Sequence, residues 1–132
     1  VEPITEVNTF TDGQVLDVPG QPEVIATPGH REEHCSFWLP ESRLLFGGDA
    51  LLTMDIMSGK TVDPEPVRGG DLFNDSKAQQ WDSARKLASL GQMTLLPGHV
   101  QPWEGDLGDL YSPIESIQPS KEDDVVIHTP AD

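Results

Sequence analysis

Apolar and polar positions in this chain fall into short runs separated by turn formers, a pattern that predicts brief strands and one helix. Ile4, Val7 and Phe10 alternate loosely across Val1–Phe10, as in an edge strand or an extended lead-in. Thr11-Asp12-Gly13-Gln14 reads as a turn before a strand at Val15–Val18, which Pro19-Gly20-Gln21-Pro22 breaks. A further strand follows at Glu23–Ala26. The runs His34–Leu39 and Arg43–Phe46, joined by Pro40-Glu41-Ser42, predict a β-hairpin whose second arm, Leu44-Leu45-Phe46, is a buried-strand candidate. Thr53–Asn74 carries Pro64, Pro66, Gly69 and Gly70 and reads mainly as a long surface excursion. The best helix spans Asp75–Leu90, with Asp75 or Ser76 as cap, Ala78, Trp81, Ala84, Arg85, Leu87 and Ala88 on its apolar-biased face, and Gly91 as its stop. Gln92–Leu96 is a strand. Gly105–Ile117 suits a short amphipathic helix or irregular packing, and Val125-Val126-Ile127 an edge strand.

The turns carry the chemistry. Thr27-Pro28-Gly29-His30 follows one predicted strand, Gly47-Gly48-Asp49 ends the hairpin, and Pro97-Gly98-His99 follows the strand after the helix. Pro28 restricts Thr27 to extended geometry, and Gly29 allows a sharp change of direction before His30. Asp49 stands between Leu44-Leu45-Phe46 and Ala50-Leu51-Leu52, a charge among groups expected inside, where a metal ion or a cationic side chain would offset its burial. Two imidazoles and a carboxylate suit Zn²⁺, Fe²⁺ or Mn²⁺ with a position left for water, against the alternative of three ordinary polar loop residues. His34 is a secondary candidate, read first as a hydrogen-bonded or solvent-exposed loop histidine, and His128 is read as a surface residue.

Charge narrows the partners. The 132 residues suffice for one domain with a modest core, and they hold 23 Asp and Glu against 8 Lys and Arg, a net charge of −15. Such a surface repels phosphates and anionic headgroups, so neither nucleic acid nor membrane is expected as a partner. A single cysteine, Cys35, read as a buried thiol, excludes an internal disulfide, and with no leader-like or membrane-spanning run the expected compartment is cytoplasmic. Glu104–Asp132 holds eight acidic residues against one lysine, and residues 118–132 read as an acidic tail after a domain at 1–117.

Residues Asp12–Ala50 together with Leu95–His99 resemble the C-terminal half of a metallo-β-lactamase-fold hydrolase, in particular the glyoxalase-II-like and lactamase-B-like branches. The resemblance implies an α/β (α+β) fold: a partial sandwich with one mainly antiparallel sheet and one principal helix, lacking its N-terminal half. It implies His30 as a ligand of a first metal, His99 as a ligand of a second, and Asp49 as the carboxylate bridging both and the residue tied most directly to catalysis. Zinc is the expected metal, with iron or manganese as alternatives. The family's His-x-His-x-Asp-His motif is absent, since the histidines here are His30, His34, His99 and His128. The implied function is therefore that of a metal-dependent hydrolase member or fragment. Water would attack an ester, thioester, lactam or related bond of a small molecule, with weak or no activity in the isolated chain. The alternatives are one subunit of a split hydrolase, or a noncatalytic metal-binding or oligomeric module. The expected partner is a second copy or a chain that supplies the missing half.

Overall fold

The computed structural model describes residues 2–112. The tail at 118–132, Val125–Ile127 and His128 lie outside them. Among the described residues, seven strands form two sheets. The larger takes β1 (Glu23–Ala26), β2 (Cys35–Leu39), β3 (Leu44–Gly48), β6 (Gln92–Pro97) and β7 (Trp103–Asp106) in the order β1-β2-β3-β6-β7. All its neighbours are antiparallel except β3 and β6, whose parallel pairing requires a crossover, and α1 (Lys77–Ala88) lies on that connection. The mainly antiparallel sheet and single principal helix are as the sequence indicates.

Register explains which side chains form the core. Trp38 pairs with Leu45 and Leu45 with Leu95, so the three share one sheet face. That face meets Ala84, Leu87 and Ala88 of α1, and Ile25, Ala50, Leu51, Met93 and Leu107 complete the cluster. Leu45, Leu87 and Leu95 are fully buried, each contributing about 1.5–3 kcal/mol of transfer free energy. The opposite face is less covered. Phe37 pairs with Phe46 and Phe46 with Leu96, yet Phe46 remains 42% exposed, which corrects its expected burial within Leu44–Phe46.

Helix α1 begins where its chemistry allows. Ser76 adopts extended geometry and its hydroxyl accepts from the Gln79 N–H, and Gly91 takes a left-handed φ of 79° beyond the far end.

One other expectation is narrowed and three differ. Residues 2–10 form no strand, which leaves the lead-in of the two readings: Ile4 and Val7 are exposed, and only Phe10 finds an aromatic partner, Phe37, at 5.7 Å edge to face. Val15–Val18 contributes a single bridge, Val15 to Glu23, because Val15 and Val18 have no apolar surface to cover them. The Thr53–Asn74 excursion contains a two-stranded sheet, β4 (Leu52–Met54) with β5 (Thr61–Glu65), and a 3-10 turn at Gly70–Leu72. Pro64 is tolerated there since a strand with only one neighbour leaves one edge unpaired. Gly105 belongs to β7, where the Trp103 indole folds across it so closely that a Cβ would lie 2.6 Å from the ring. No helix among the described residues is long and apolar enough to cross a membrane.

Candidate functional site

Strand directions bring the three turns together. In the order β1-β2-β3-β6, the antiparallel partners alternate and β6 runs with β3, so β1, β3 and β6 all end at the same edge of the sheet. His30 follows β1, Asp49 follows β3, and His99 follows β6. Residues 19 and 50 positions apart thereby become neighbours: Nε2 of His30 lies 3.6 Å from Asp49 Oδ2, and Nε2 of His99 lies 3.6 Å from Asp49 Oδ1. One carboxylate thus turns one oxygen to each histidine.

This spacing is too long for a hydrogen bond. It matches two ligands of one ion, since bonds of about 2.1 Å at a tetrahedral angle separate their donor atoms by about 3.4 Å. Asp49 Oδ1 is buried and has no hydrogen-bond partner among the described residues, although the Asp49 side chain as a whole is 30% exposed. An orphaned carboxylate oxygen beside an imidazole fits a metal ion at that point. Among the described residues no three His, Cys, Asp or Glu side chains converge as a complete ligand group. The geometry is that of two adjacent pairs sharing Asp49, each short of a full shell.

His30 has a defined tautomer. The Asn74 amide nitrogen donates to the carbonyls of Val67 and Gly70, both at 3.0 Å, so Asn74 Oδ1 must accept from the His30 ring at 2.9 Å. Nδ1 then carries a proton, and in the neutral ring the Nε2 lone pair faces Asp49. Gln80 also donates to Asn74 Oδ1, at 3.1 Å. The loop backbone is fixed by the start of α1: the Ser76 N–H donates to Gly29 O at 2.8 Å, and the Ser83 hydroxyl to Pro28 O at 2.7 Å. Gly29 has a φ of 141°, and a Cβ there would meet the Gln80 backbone nitrogen at 2.5 Å, so the close approach of helix and loop requires glycine.

His34 bonds to the backbone of Asp49, not to its carboxylate. Its Nε2 accepts the Asp49 backbone N–H at 3.0 Å, and its Nδ1 meets the Thr27 hydroxyl at 2.9 Å. Burial lowers its pKa below the ordinary histidine value; the Asp49 carboxylate opposes this, while His30 reinforces it. Sequence reasoning missed Asn74 and Gln80 altogether, as neither has a local signature and Asn74 lies 44 positions from His30. A separate cleft of about 650 Å³, lined by Val67, Arg68, Leu72, Lys77, Gln80 and Trp81 among others, shares residues with the Asn74 cluster but includes neither histidine nor Asp49.

Similar proteins extend this picture. A hydroxyacylglutathione hydrolase of Rhodospirillum rubrum is 40% identical over 90 residues, covering 67% of this chain and 30% of that protein. The probable metallo-hydrolase YflN of Bacillus subtilis is 33% identical over 101 residues, covering 70% of this chain and 38% of that one. The chain therefore spans about a third of the curated relatives it matches. Among solved structures, a metallo-beta-lactamase family protein of Thermus thermophilus superposes with a TM-score of 0.57 at 28% identity, over 83% of this chain and 34% of its own. A second, solved in a di-iron-bound form, gives a TM-score of 0.59 at 26% identity, over 85% of this chain and 50% of its own. Residues 3–99, which include all three turns and end at His99, match the sequence profile of the Metallo-beta-lactamase superfamily, and the chain belongs to that superfamily of metal-dependent hydrolases.

Proposed function

We propose that this chain contributes one side of a metal-dependent hydrolase site, with His30 and His99 as ligands of two metal ions and Asp49 as the carboxylate between them. The Asp49 carboxylate carries the reading: its two oxygens each lie 3.6 Å from a different histidine Nε2, and the buried one has no other partner among the described residues. Zinc suits imidazole and carboxylate donors, with iron and manganese as alternatives. A metal pair bound there supplies Lewis acidity and a water activated near neutral pH. The chain's own residues prepare the donors. Asn74 keeps the His30 proton on Nδ1, and Asp49 turns one oxygen to each histidine.

The remaining ligands come from a second sheet, on another stretch of polypeptide, that packs against the face bearing Phe37, Phe46 and Leu96. Its support is the exposure of Phe46 on that face and the small share of each relative that this chain spans. The bond cleaved is an ester, thioester, lactam or related bond of a small molecule. A hydroxyacylglutathione thioester is the first to assay, because a relative sharing 40% identity carries that activity in its name.

The test compares the protein alone with the protein mixed with a chain carrying a His-x-His-x-Asp-His sheet, each stripped of metal and reloaded with Zn²⁺, Fe²⁺ or Mn²⁺. Hydrolysis and tight metal uptake in the mixture, with neither in the separate chains, is the expected result. Equal metal uptake by the mixtures made with wild type and with an Asp49→Asn variant would overturn the site. Full hydrolysis by a monomer of this chain alone would overturn the need for a second sheet.

A further inference from the structure

Asp49 presents a positioning problem. A carboxylate is usually aimed by hydrogen bonds to its own oxygens, yet Oδ1 is buried here without one. Its direction must be set through the backbone, and one peptide unit shows how. The Gly48 carbonyl accepts from the Gly98 N–H at 2.8 Å, while the Asp49 N–H of the same unit donates to His34 Nε2 at 3.0 Å. The loop that carries His30 and the loop that carries His99 therefore hold the Gly48–Asp49 peptide from its two sides.

We propose that His34 is a positioning residue which, with Gly98, grips this peptide and so holds the Asp49 carboxylate between His30 and His99. The proposal rests on the metal-site reading above and assigns His34 no contact with metal or substrate.

Three observations carry it. First, the imidazole is itself locked. Because Nε2 accepts a backbone N–H, the ring proton belongs on Nδ1 and donates to the Thr27 hydroxyl at 2.9 Å. Thr27 then donates to Ser36 at 2.8 Å, and Ser36 to the Gly47 carbonyl at 3.4 Å, which can only accept. Every donor in this chain has one direction available, and Thr27 and Ser36 are both buried. Second, the chain ends on Gly47, so both peptide groups before Asp49 are tied to the same relay. Third, the glycines make room for it. Gly48 has a φ of 55°, and a Cβ there would lie 2.5 Å from His34 Nε2. At Gly98 a Cβ would lie 3.1 Å from Asp49 Oδ1. The glycine before Asp49 and the glycine before His99 thus serve one arrangement, in which the His34 ring and the Asp49 carboxylate occupy space that methyl groups would take.

The experiment compares wild type, His34→Phe, His34→Gln, Thr27→Val and Asp49→Asn, each mixed with the chain carrying a His-x-His-x-Asp-His sheet. Cobalt affinity is measured by titration, Asp49 amide exchange by NMR, and the His34 tautomer by its ring ¹⁵N shifts. Wild type should show the Nδ1–H tautomer and a protected Asp49 amide. Phenylalanine keeps a flat ring but offers no acceptor, so His34→Phe should lose amide protection and about ten- to a hundredfold in cobalt affinity. Glutamine places a carbonyl oxygen near the position of Nε2 and should restore most of both. If His34→Phe does not fold, Thr27→Val carries the test, with a disturbed tautomer and weaker cobalt binding expected. Wild-type cobalt binding in His34→Phe, or in Thr27→Val with an unchanged tautomer, would overturn the proposal while loss in Asp49→Asn upheld the site. A glutamine variant as weak as phenylalanine would also overturn it. Cobalt binding unaffected by Asp49→Asn would instead overturn the site reading, and the proposal with it.

Discussion

His30 and His99 approach Asp49 to the same 3.6 Å from opposite sides, but the protein treats them differently. The His30 side chain is 16% exposed, its Nδ1 is held by Asn74, and its loop is bonded to the first turns of α1. The His99 side chain is 66% exposed, and among the described residues no hydrogen bond holds its ring. Its loop is tied to the site by the Gly98–Gly48 backbone bond. The difference lies in what holds each loop: one lies on a helix, which also fixes the His30 ring, while the other is held by the Gly48 carbonyl and by the Thr53 hydroxyl, which donates to Gln101 O at 2.7 Å, leaving the His99 ring exposed. An arrangement with one prepared side and one open side suits a centre whose second half arrives with another sheet.

Variants can break or sharpen this contrast. Asp49→Asn serves both sides and should have the largest effect: cobalt titration should show both sites lost, by more than the roughly hundredfold change expected for a residue that only supports a ligand. Asn74→Leu should act on the His30 side alone. It should weaken that site about ten- to a hundredfold and lower stability by about 1–3 kcal/mol in urea unfolding, because His30 Nδ1 and Gln80 lose the Asn74 oxygen and the Val67 and Gly70 carbonyls each lose one of their donors. Equal weakening of both sites by Asn74→Leu would erase the contrast.

Two glycine variants separate folding from site geometry. Gly29→Ala forces a methyl group to 2.5 Å from the Gln80 backbone and should cost about 1–3 kcal/mol of stability, read as a shift of the urea midpoint. Gly98→Ala lies in an exposed turn and should stay within about 0.5 kcal/mol of wild type. Its methyl group, 3.1 Å from Asp49 Oδ1, should nonetheless weaken cobalt binding. Ser76→Ala should have the smallest effect on the site, costing about 1 kcal/mol of stability through loss of the helix cap while leaving cobalt affinity unchanged, since the Ser76 N–H still holds Gly29.

The parts legible in the sequence were those with local causes. Pro-Gly-His turns after apolar runs mark the loops of His30 and His99, and Ser76 and Gly91 bracket α1 because capping is settled within a few residues. The β4–β5 pair was hidden by Pro64 and Pro66, and β7 by Gly105, whose place in a strand depends on the Trp103 ring lying across it. Val15–Val18 had a strand's pattern without a surface to pack on. At the site, His34 was read first as a hydrogen-bonded or exposed loop histidine, and it is indeed hydrogen-bonded. That its partner is the Asp49 backbone depends on how the hairpin folds back on the loop. Asn74 and Gln80 belong to the same class: their role follows from α1 packing on the His30 loop, which no local spacing encodes.

The most direct test of a shared Asp49 carboxylate is an anomalous-difference map of this chain in complex with the sheet-bearing chain and loaded with zinc, recorded at the zinc edge. The account predicts two peaks, one within bonding distance of His30 Nε2 and Asp49 Oδ2, the other within bonding distance of His99 Nε2 and Asp49 Oδ1. Zinc bound elsewhere, or beside the histidines with Asp49 out of its coordination sphere, would contradict it.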